Sequence, residues 1–198
     1  MRHFLSSLRL TLAIAACTLL LFACAMSPQT IVIKPTLNIQ SMPIGHRRNI
    51  SVGSRDLRRS ATIGMRGGLY DSANISTDTS MTRSITQAAI TVLQSWDFAA
   101  LPATLDHNPA SHFEINVLAI DYERPVSEIA GHVTVKCRVA VRVRMGGETF
   151  SGEYTSKFTE QVAVQPTAND NIRMVNQTLN QALSEIFLDP ALKRFLAN

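Results

Sequence analysis

Cysteine is scarce in this sequence, with three residues among 198, at Cys17, Cys24 and Cys137. The first two lie in an apolar N-terminal segment, so Cys137 is the single cysteine of the rest of the chain. A lone cysteine excludes an internal disulfide. Cys137 lies among alternating valines, a pattern that predicts a buried, inert thiol rather than a catalytic nucleophile.

Charge is also sparse and nearly balanced. Charged residues make up 17% of the chain and hydrophobic residues 45%, which is typical of a globular protein rather than a disordered one. The 19 basic and 15 acidic side chains leave a formal charge of +4. Without Arg2 and Arg9 of the N-terminal segment, 17 basic residues face 15 acidic ones, which leaves +2. We therefore expect no nucleic-acid partner.

Recognisable catalytic and metal-binding motifs are absent from the sequence. It contains no nucleophile elbow, no Walker loop and no dinucleotide-binding fingerprint. His107 and His112 lie five residues apart near Asp106, but the other histidines fall in unrelated segments. A zinc site needs three or four ligands. We expect no enzymatic activity, no metal and no cofactor.

No apolar run is long enough to cross a bilayer. Leu10 to Ala23 are 14 residues without a charge, whereas a membrane span needs about 20. Behind the basic Arg2 and Arg9, this length is typical of a signal peptide. The residues Leu21-Phe22-Ala23-Cys24 resemble the bacterial lipobox, in which the thiol after the cleavage site carries a diacylglycerol. We predict a lipoprotein signal peptide over residues 1–23 and attachment of lipid, including palmitate, at Cys24.

Two alternatives remain open for this segment. Ile14-Ala15-Ala16-Cys17 also fits the lipobox, although it shortens the apolar region to about seven residues, and an uncleaved anchor or a simple signal peptide is the other alternative.

A single acyl chain binds membranes only marginally, whereas modification of Cys24 supplies three chains. Ala25, rather than aspartate, follows the cysteine, which is similar to lipoproteins sorted to the outer membrane. We expect an outer-membrane lipid anchor with the protein facing the periplasm.

Hydrophobic periodicity predicts a tether over residues 24–29 and a single domain over 30–198. Apolar residues at helical spacing predict a helix over residues 79–97, with Asp78 as its N-cap. A second helix covers residues 167–188, where Thr167 and Asp170 have the spacing of a capping box. Asp189-Pro190 begins a short third helix.

Strict alternation of apolar and polar residues predicts a strand in HFEINVLAIDY and a long hairpin about Gly146-Gly147. The pairs expected across this turn are Val143 with Phe150, Val139 with Tyr154, and Val135 with Phe158. All of them lie on one side of the hairpin. We predict an α+β fold, a two-layer sandwich with an antiparallel-rich sheet. Its two main amphipathic helices pack on one face, and the other face is polar.

Several stretches together resemble the YajG-like bacterial outer-membrane lipoproteins over most of the mature chain. These are the lipobox, SRDLR…IG, the hairpin and the ending NQTLNQALSEIFLDPALKRFL. The best local match is Asp56-Leu57-Arg58 followed by Ile63-Gly64. The resemblance implies outer-membrane anchoring and a periplasmic α+β domain, and it brings no catalytic residues. The sequence differs from the family where it is more basic, at Arg138, Arg142 and Arg144.

Two basic groups are candidates for binding an anionic partner, such as phospholipid headgroups, lipopolysaccharide phosphate or an acidic protein. The predicted surface comprises Arg55, Arg58, Arg59, Lys136, Arg138, Arg142 and Arg144. Alternatively, basic residues on an edge or exposed strand only block aggregation, and Arg58 pairs with Asp56 or with a turn carbonyl. Asp121 and Glu123 at a strand end have the spacing of an acid/base pair, but a solvated strand end has the same pattern.

The leading hypothesis is a non-enzymatic lipoprotein that binds another envelope component. One alternative is a lipid-handling auxiliary subunit of an envelope transporter, which predicts an apolar cavity beneath the helix layer. The other is a cell-wall hydrolase, which requires convergent carboxylates or a serine and a histidine in one cleft.

Overall fold

The computed structural model describes residues 27–66, 73–103, 110–124, 131–162 and 166–198. The predicted signal peptide, Cys17, Cys24, Asp106 and His107 lie outside these residues. The described strands are β1 (Gln29–Ile31), β2 (Asn49–Asp56), β3 (Thr62–Met65), β4 (Asn74–Thr77), β5 (Ala99–Pro102), β6 (His112–Glu123), β7 (Gly131–Met145) and β8 (Glu148–Val162). The described helices are α1 (Met81–Ser95), α2 (Ala168–Leu188) and α3 (Pro190–Ala197).

All eight described strands join in one sheet, with β6 at its centre. One edge of β6 pairs antiparallel with β7, which pairs antiparallel with β8. The other edge is shared, because β2 pairs with the first half of β6 and β3 pairs with it only at Tyr122. β5 continues the sheet from β2, and β4 and β1 continue it from β3.

The α+β class is confirmed, but the antiparallel-rich sheet is not. Of the seven strand pairings among the described residues, four are parallel: β1 with β4, β2 with β5, β2 with β6, and β3 with β6. These pairings join strands that lie far apart in the sequence. Their partners are therefore chosen by packing, and no local turn signal marks them.

The long hairpin is confirmed in its predicted register. Val143 pairs with Phe150 and Val139 with Tyr154, as the two-residue turn requires. Gly146 and Gly147 both have positive φ, at 60° and 85°. Only a residue without a Cβ adopts this pair of conformations at no steric cost.

A layer of helices covers one face of the sheet. α1 packs on β2 and β5, and α2 packs on β7 and β8. The two halves of this layer meet at Phe187, whose ring stacks on Phe113 at 5.6 Å between centroids and contacts Trp96 edge-on at 5.7 Å. All three rings are fully buried, so one continuous core lies between the sheet and the helices.

Residues 32–44 form no helix or strand but run across the helix layer. The Oδ1 atoms of Asn176 and Asn180, one turn apart on α2, accept hydrogen bonds from the backbone N–H groups of Lys34 and Thr36, at 2.7 and 3.1 Å. Trp96 Nε1 donates to the carbonyl of Gln40 at 3.0 Å. These side chains satisfy backbone groups that have no partner strand.

The predicted helix ends are confirmed at α2 and α3 and wrong at α1. Thr167 and Asp170 form the capping box of α2, and Asp189 caps α3. At α1 the N-cap is Ser80 and not Asp78. The Asp78 carboxylate instead accepts from the Ile33 backbone N–H and the Ser80 hydroxyl, so it ties the chain after β1 to the start of α1.

Candidate functional site

The face of the sheet opposite the helices is open and polar. Along β7 every second residue is buried beneath the helices, and the residues between them point to the open face. These outward residues include Lys136, Arg138, Arg142 and Arg144. Because β7 lies between β6 and β8, it is not an edge strand. Its outward face is nevertheless exposed, so the alternative that these basic residues only block aggregation stays open.

Three arginines surround a cavity of about 250 Å³ on this face, which we name the arginine cavity. It is lined by Arg55, Arg142, Arg144, His112 and Glu114. Strand register places Arg144 opposite His112 and Arg142 opposite Glu114, and β2 brings Arg55 from the other side. The Nε atom of Arg55 lies 3.0 Å from Oε2 of Glu114. One carboxylate thus faces three guanidinium groups, which favours binding of an anion.

His112, which lines the arginine cavity, contacts two neighbouring side chains. Its Nδ1 lies 2.7 Å from the hydroxyl of Ser51, and its Nε2 lies 3.7 Å from Oε2 of Glu114. The Ser51 hydroxyl also lies 3.2 Å from the carbonyl of Ser111. Sequence patterns do not reveal this Ser–His–Glu arrangement, since its members lie on two strands that pair in parallel.

The conspicuous sequence pieces Asp56-Leu57-Arg58 and Ile63-Gly64 meet at a second place, which we name the junction. Here β2 leaves the edge of β6 and β3 joins it, and the ladder between β6 and β7 shifts between Val117 and Ala119. A cavity of about 640 Å³ opens at this place, lined in part by Arg58, Arg59, Asp121, Arg138 and Glu153.

Arg58 is locked inside the junction. Its Nε and Nη2 donate to the two carboxylate oxygens of Asp56 at 2.8 and 2.7 Å, and Nη2 also donates to Thr77 Oγ1 at 2.7 Å. Its side chain is 5% exposed. The hydrogen bonds from Arg58 hold the pKa of Asp56 below its usual range. The alternative in which Arg58 pairs with Asp56 is confirmed.

Gly64 lets β3 approach β6 closely. A Cβ at this position would lie 2.1 Å from the carbonyl oxygen of Tyr122, far inside van der Waals contact. Glycine is therefore required at this crossing. The ion pair of Arg58 with Asp56 and the close approach at Gly64 thus give both sequence pieces at the junction a structural role.

The protein matches a family model described as "Uncharacterized lipoprotein" (Lipoprotein_16) over residues 35–197. This range includes the junction, the arginine cavity and most of the helix layer. The chain belongs to this family of bacterial lipoproteins. No curated protein matches the sequence.

Solved structures that align with this chain at low identity include lipoproteins. A Xanthomonas campestris protein of family DUF330 aligns over 81% of this lipoprotein and 91% of its own chain, with 12% identity and a TM-score of 0.49. A lipoprotein from Neisseria meningitidis covers 68% of this chain and 96% of its own, at 11% identity and a TM-score of 0.36. A minor lipoprotein from Acinetobacter baumannii covers 76% and 91%, at 9% identity and 0.36.

The structure divides the predicted basic surface of this lipoprotein into separate groups. Arg55, Arg142 and Arg144 line the arginine cavity, whereas Arg58, Arg59 and Arg138 line the junction. Lys136 belongs to neither cavity. Its Nζ pairs with Glu123 at 3.1 Å, and Arg138 pairs with Glu153 at 3.5 Å.

The remaining candidates lie in ordinary surroundings. Cys137 is fully buried, and burial raises its pKa to about 12. Among the described residues, no group of three or more His, Cys, Asp or Glu side chains is arranged to hold a metal ion. Within that same part of the chain, no helix has both the length and the apolarity needed to cross a membrane.

Proposed function

We propose that this chain is a YajG-like lipoprotein, anchored in the outer membrane by lipid at Cys24 and facing the periplasm. In this proposal it has no enzymatic activity and binds an anionic envelope component at the arginine cavity. The observation that carries the binding role is the convergence of Arg55, Arg142 and Arg144 around one carboxylate on an open sheet face.

The chemistry of the cavity favours a phosphate-bearing partner. A planar guanidinium group can donate two parallel hydrogen bonds to two oxygens of one phosphate. The Arg55 side chain is 68% exposed beside Glu114, and Arg142 and Arg144 are exposed on the open face. A phosphate that binds between these side chains would therefore contact exposed guanidinium groups.

Calorimetry on the full chain in a neutral detergent tests the binding role. We expect heat of binding with micelles that contain phosphatidylglycerol and none with undoped micelles. Inorganic phosphate is a third arm, which separates binding of phosphate itself from binding of a lipid headgroup. Replacing Arg142 and Arg144 by glutamine should weaken binding about tenfold for each lost charged hydrogen bond. Arg83→Gln, an exposed position on α1, is the matched control.

Two outcomes would contradict the binding role. One is the absence of binding in both the phosphatidylglycerol and phosphate arms. The other is equal binding by the wild-type chain and the variant that lacks Arg142 and Arg144. Raising the salt concentration should weaken genuine binding, because the interacting charges are solvent-exposed.

The lipid anchor has its own test. Cys24→Ala should abolish incorporation of labelled palmitate and leave the precursor unprocessed, whereas Cys17→Ala should change neither. Labelling that persists without Cys24 would remove this part of the proposal and leave the binding site unaffected.

The contact between Ser51 and His112 keeps the hydrolase alternative open. A nucleophilic serine is activated by an adjacent base such as histidine, and the Ser51 hydroxyl lies 2.7 Å from Nδ1 of His112. Ester or peptidoglycan cleavage that Ser51→Ala abolishes would support hydrolysis over simple binding. The transporter-subunit alternative places lipid beneath the helix layer, but the two cavities described above lie on the open face.

A further inference from the structure

The outer edge of β8 is long, and no other strand in the described part of the chain pairs with it. Among the described strands β8 pairs with β7 alone, and the ladder runs without a shift over all 15 residues of the strand. Edge strands are usually short, or are interrupted by proline or a bulge, because their unpaired N–H and C=O groups attract other strands. β8 contains neither interruption.

The hairpin turn determines which residues direct their backbone groups outward. Gly146 and Gly147 form a two-residue turn, so its closing pair, Met145 and Glu148, is hydrogen-bonded. Hydrogen-bonded and non-hydrogen-bonded pairs alternate along an antiparallel ladder. The even-numbered residues of β8 therefore bond to β7, and the odd-numbered residues present their N–H and C=O groups to any new strand.

The odd-numbered positions of β8 carry two charges, Glu153 and Lys157. Lys157 lies directly opposite Lys136 across the hairpin, which is unfavourable for two like charges. Lys136 instead forms an ion pair with Glu123. Within the described residues no carboxylate lies at ion-pair distance from Lys157, so a partner strand that brings one there gains a favourable contact.

We propose that a second copy of this chain adds to β8 as an antiparallel strand, around a twofold axis at Thr155. In this register Glu153 of each copy lies opposite Lys157 of the other. The remaining facing pairs are Ser151 with Thr159, Thr149 with Gln161, and Thr155 with itself. If the second strand shifts to the next register in which the outward backbone groups still face each other, Glu153 and Lys157 both lie opposite hydroxyl side chains. The charge pattern therefore favours the register centred on Thr155.

Aromatic residues along the same edge favour this partner. Phe150, Tyr154 and Phe158 lie on the helix side of β8 and are only partly buried, although the valines that they face on β7 are fully buried. A second strand would cover the exposed parts of these rings. The dimer has one continuous sheet, with both helix layers on one face and both arginine cavities on the other.

Sedimentation of the full chain in neutral detergent tests the dimer, and its outcome does not depend on the proposed anion binding. We expect a protein mass of two chains. Lys157→Glu should raise the dissociation constant roughly tenfold or more, because it makes two attractive contacts repulsive. It also removes the repulsion from Lys136, so the fold should be unharmed. Adding Glu153→Lys should recover part of the lost affinity, because it restores the opposite charges across the interface while removing the ion pair of Glu153 with Arg138. Arg83→Glu should leave the dissociation constant unchanged.

Crosslinking tests the register. Thr155→Cys should couple two chains through a short bismaleimide, whereas Thr149→Cys, on the same side of the same strand, should not. The two copies of residue 149 would lie about 40 Å apart, at 3.4 Å per residue. The unsubstituted chain controls for its own cysteines. A monomer at every concentration, a dimer that Lys157→Glu does not weaken, or equal crosslinking of both variants would overturn the proposal, as would a β8 edge occupied by a different protein.

Discussion

The junction and the arginine cavity contain arginines only three positions apart in sequence, yet the two sites use them differently. The Arg58 side chain is 5% exposed and makes three side-chain hydrogen bonds, to Asp56 and Thr77. The Arg55 side chain is 68% exposed and contacts Glu114 from solvent. A buried guanidinium held by three hydrogen bonds stabilises the fold, whereas the proposed binding role falls to exposed arginines. Burial and local partners, and not residue type, separate the structural arginine from those of the proposed binding site.

Gly64→Ala should have the largest effect and should act through the junction alone. The new Cβ would meet the Tyr122 carbonyl at 2.1 Å, and we expect a loss of about 3 kcal/mol of unfolding free energy from overpacking. Denaturant unfolding followed by Trp96, the only tryptophan and fully buried, measures the loss. Gly53→Ala is the control, because its Cβ would meet neighbours at an ordinary 3.6 Å. Equal stability of the two variants would show that the close approach is not required.

Arg58→Ala should have the next largest effect. It removes both hydrogen bonds to Asp56 and leaves the buried Thr77 hydroxyl without this donor. We expect a loss of about 2 kcal/mol of unfolding free energy, measured in the same way. Arg55→Ala, made at the exposed arginine, should cost less than about 0.5 kcal/mol. Similar losses for both variants would remove the distinction between the two sites.

Lowering the pH should reduce the difference in unfolding free energy between the wild-type protein and Arg58→Ala. The pKa of Asp56 is lowered in the folded protein by its hydrogen bonds from Arg58. The resulting stabilisation is complete above the unfolded value of about 3.9 and is lost as the pH falls through the folded pKa. The difference in unfolding free energy between the two proteins should therefore be larger at pH 7 than at pH 3. Other shifted carboxylates are shared by both proteins and cancel.

Replacing Arg142 and Arg144 together by glutamine should have the smallest effect on stability. Both side chains are exposed on the open face, so we expect a change within about 0.5 kcal/mol while binding of phosphate-bearing micelles falls. Thermal or denaturant unfolding of the double variant checks this. A large loss of stability would indicate that these arginines, like Arg58 at the junction, have a structural role and do not form a binding site.

Sequence patterns predicted the elements whose signals are local. The register of β7 with β8 follows from two glycines and the alternation on either side, and the capping box of α2 follows from Thr167 and Asp170. Patterns did not predict the parallel pairings of β2 and β3 with β6, nor the N-cap of α1, where Asp78 bonds the backbone of Ile33. Those contacts join residues distant in sequence.

The candidate site shows the same division. Sequence reasoning found the basic residues of β7 and gave their common face, because strand alternation is a local property. It did not reveal that Arg55 lies beside them, that Arg58 is buried, or that Ser51 contacts His112, since each depends on which strands become neighbours of β6.

By itself, then, the sequence determined the class of this protein, its two amphipathic helices, its long hairpin and its basic strand. These depend on periodicity and turn geometry within short stretches of chain. Only the tertiary structure decided the branching of the sheet at β6, the burial of Arg58 and the grouping of three arginines in one cavity. Those features depend on which distant segments pack together over one core, and a local sequence pattern does not contain that information.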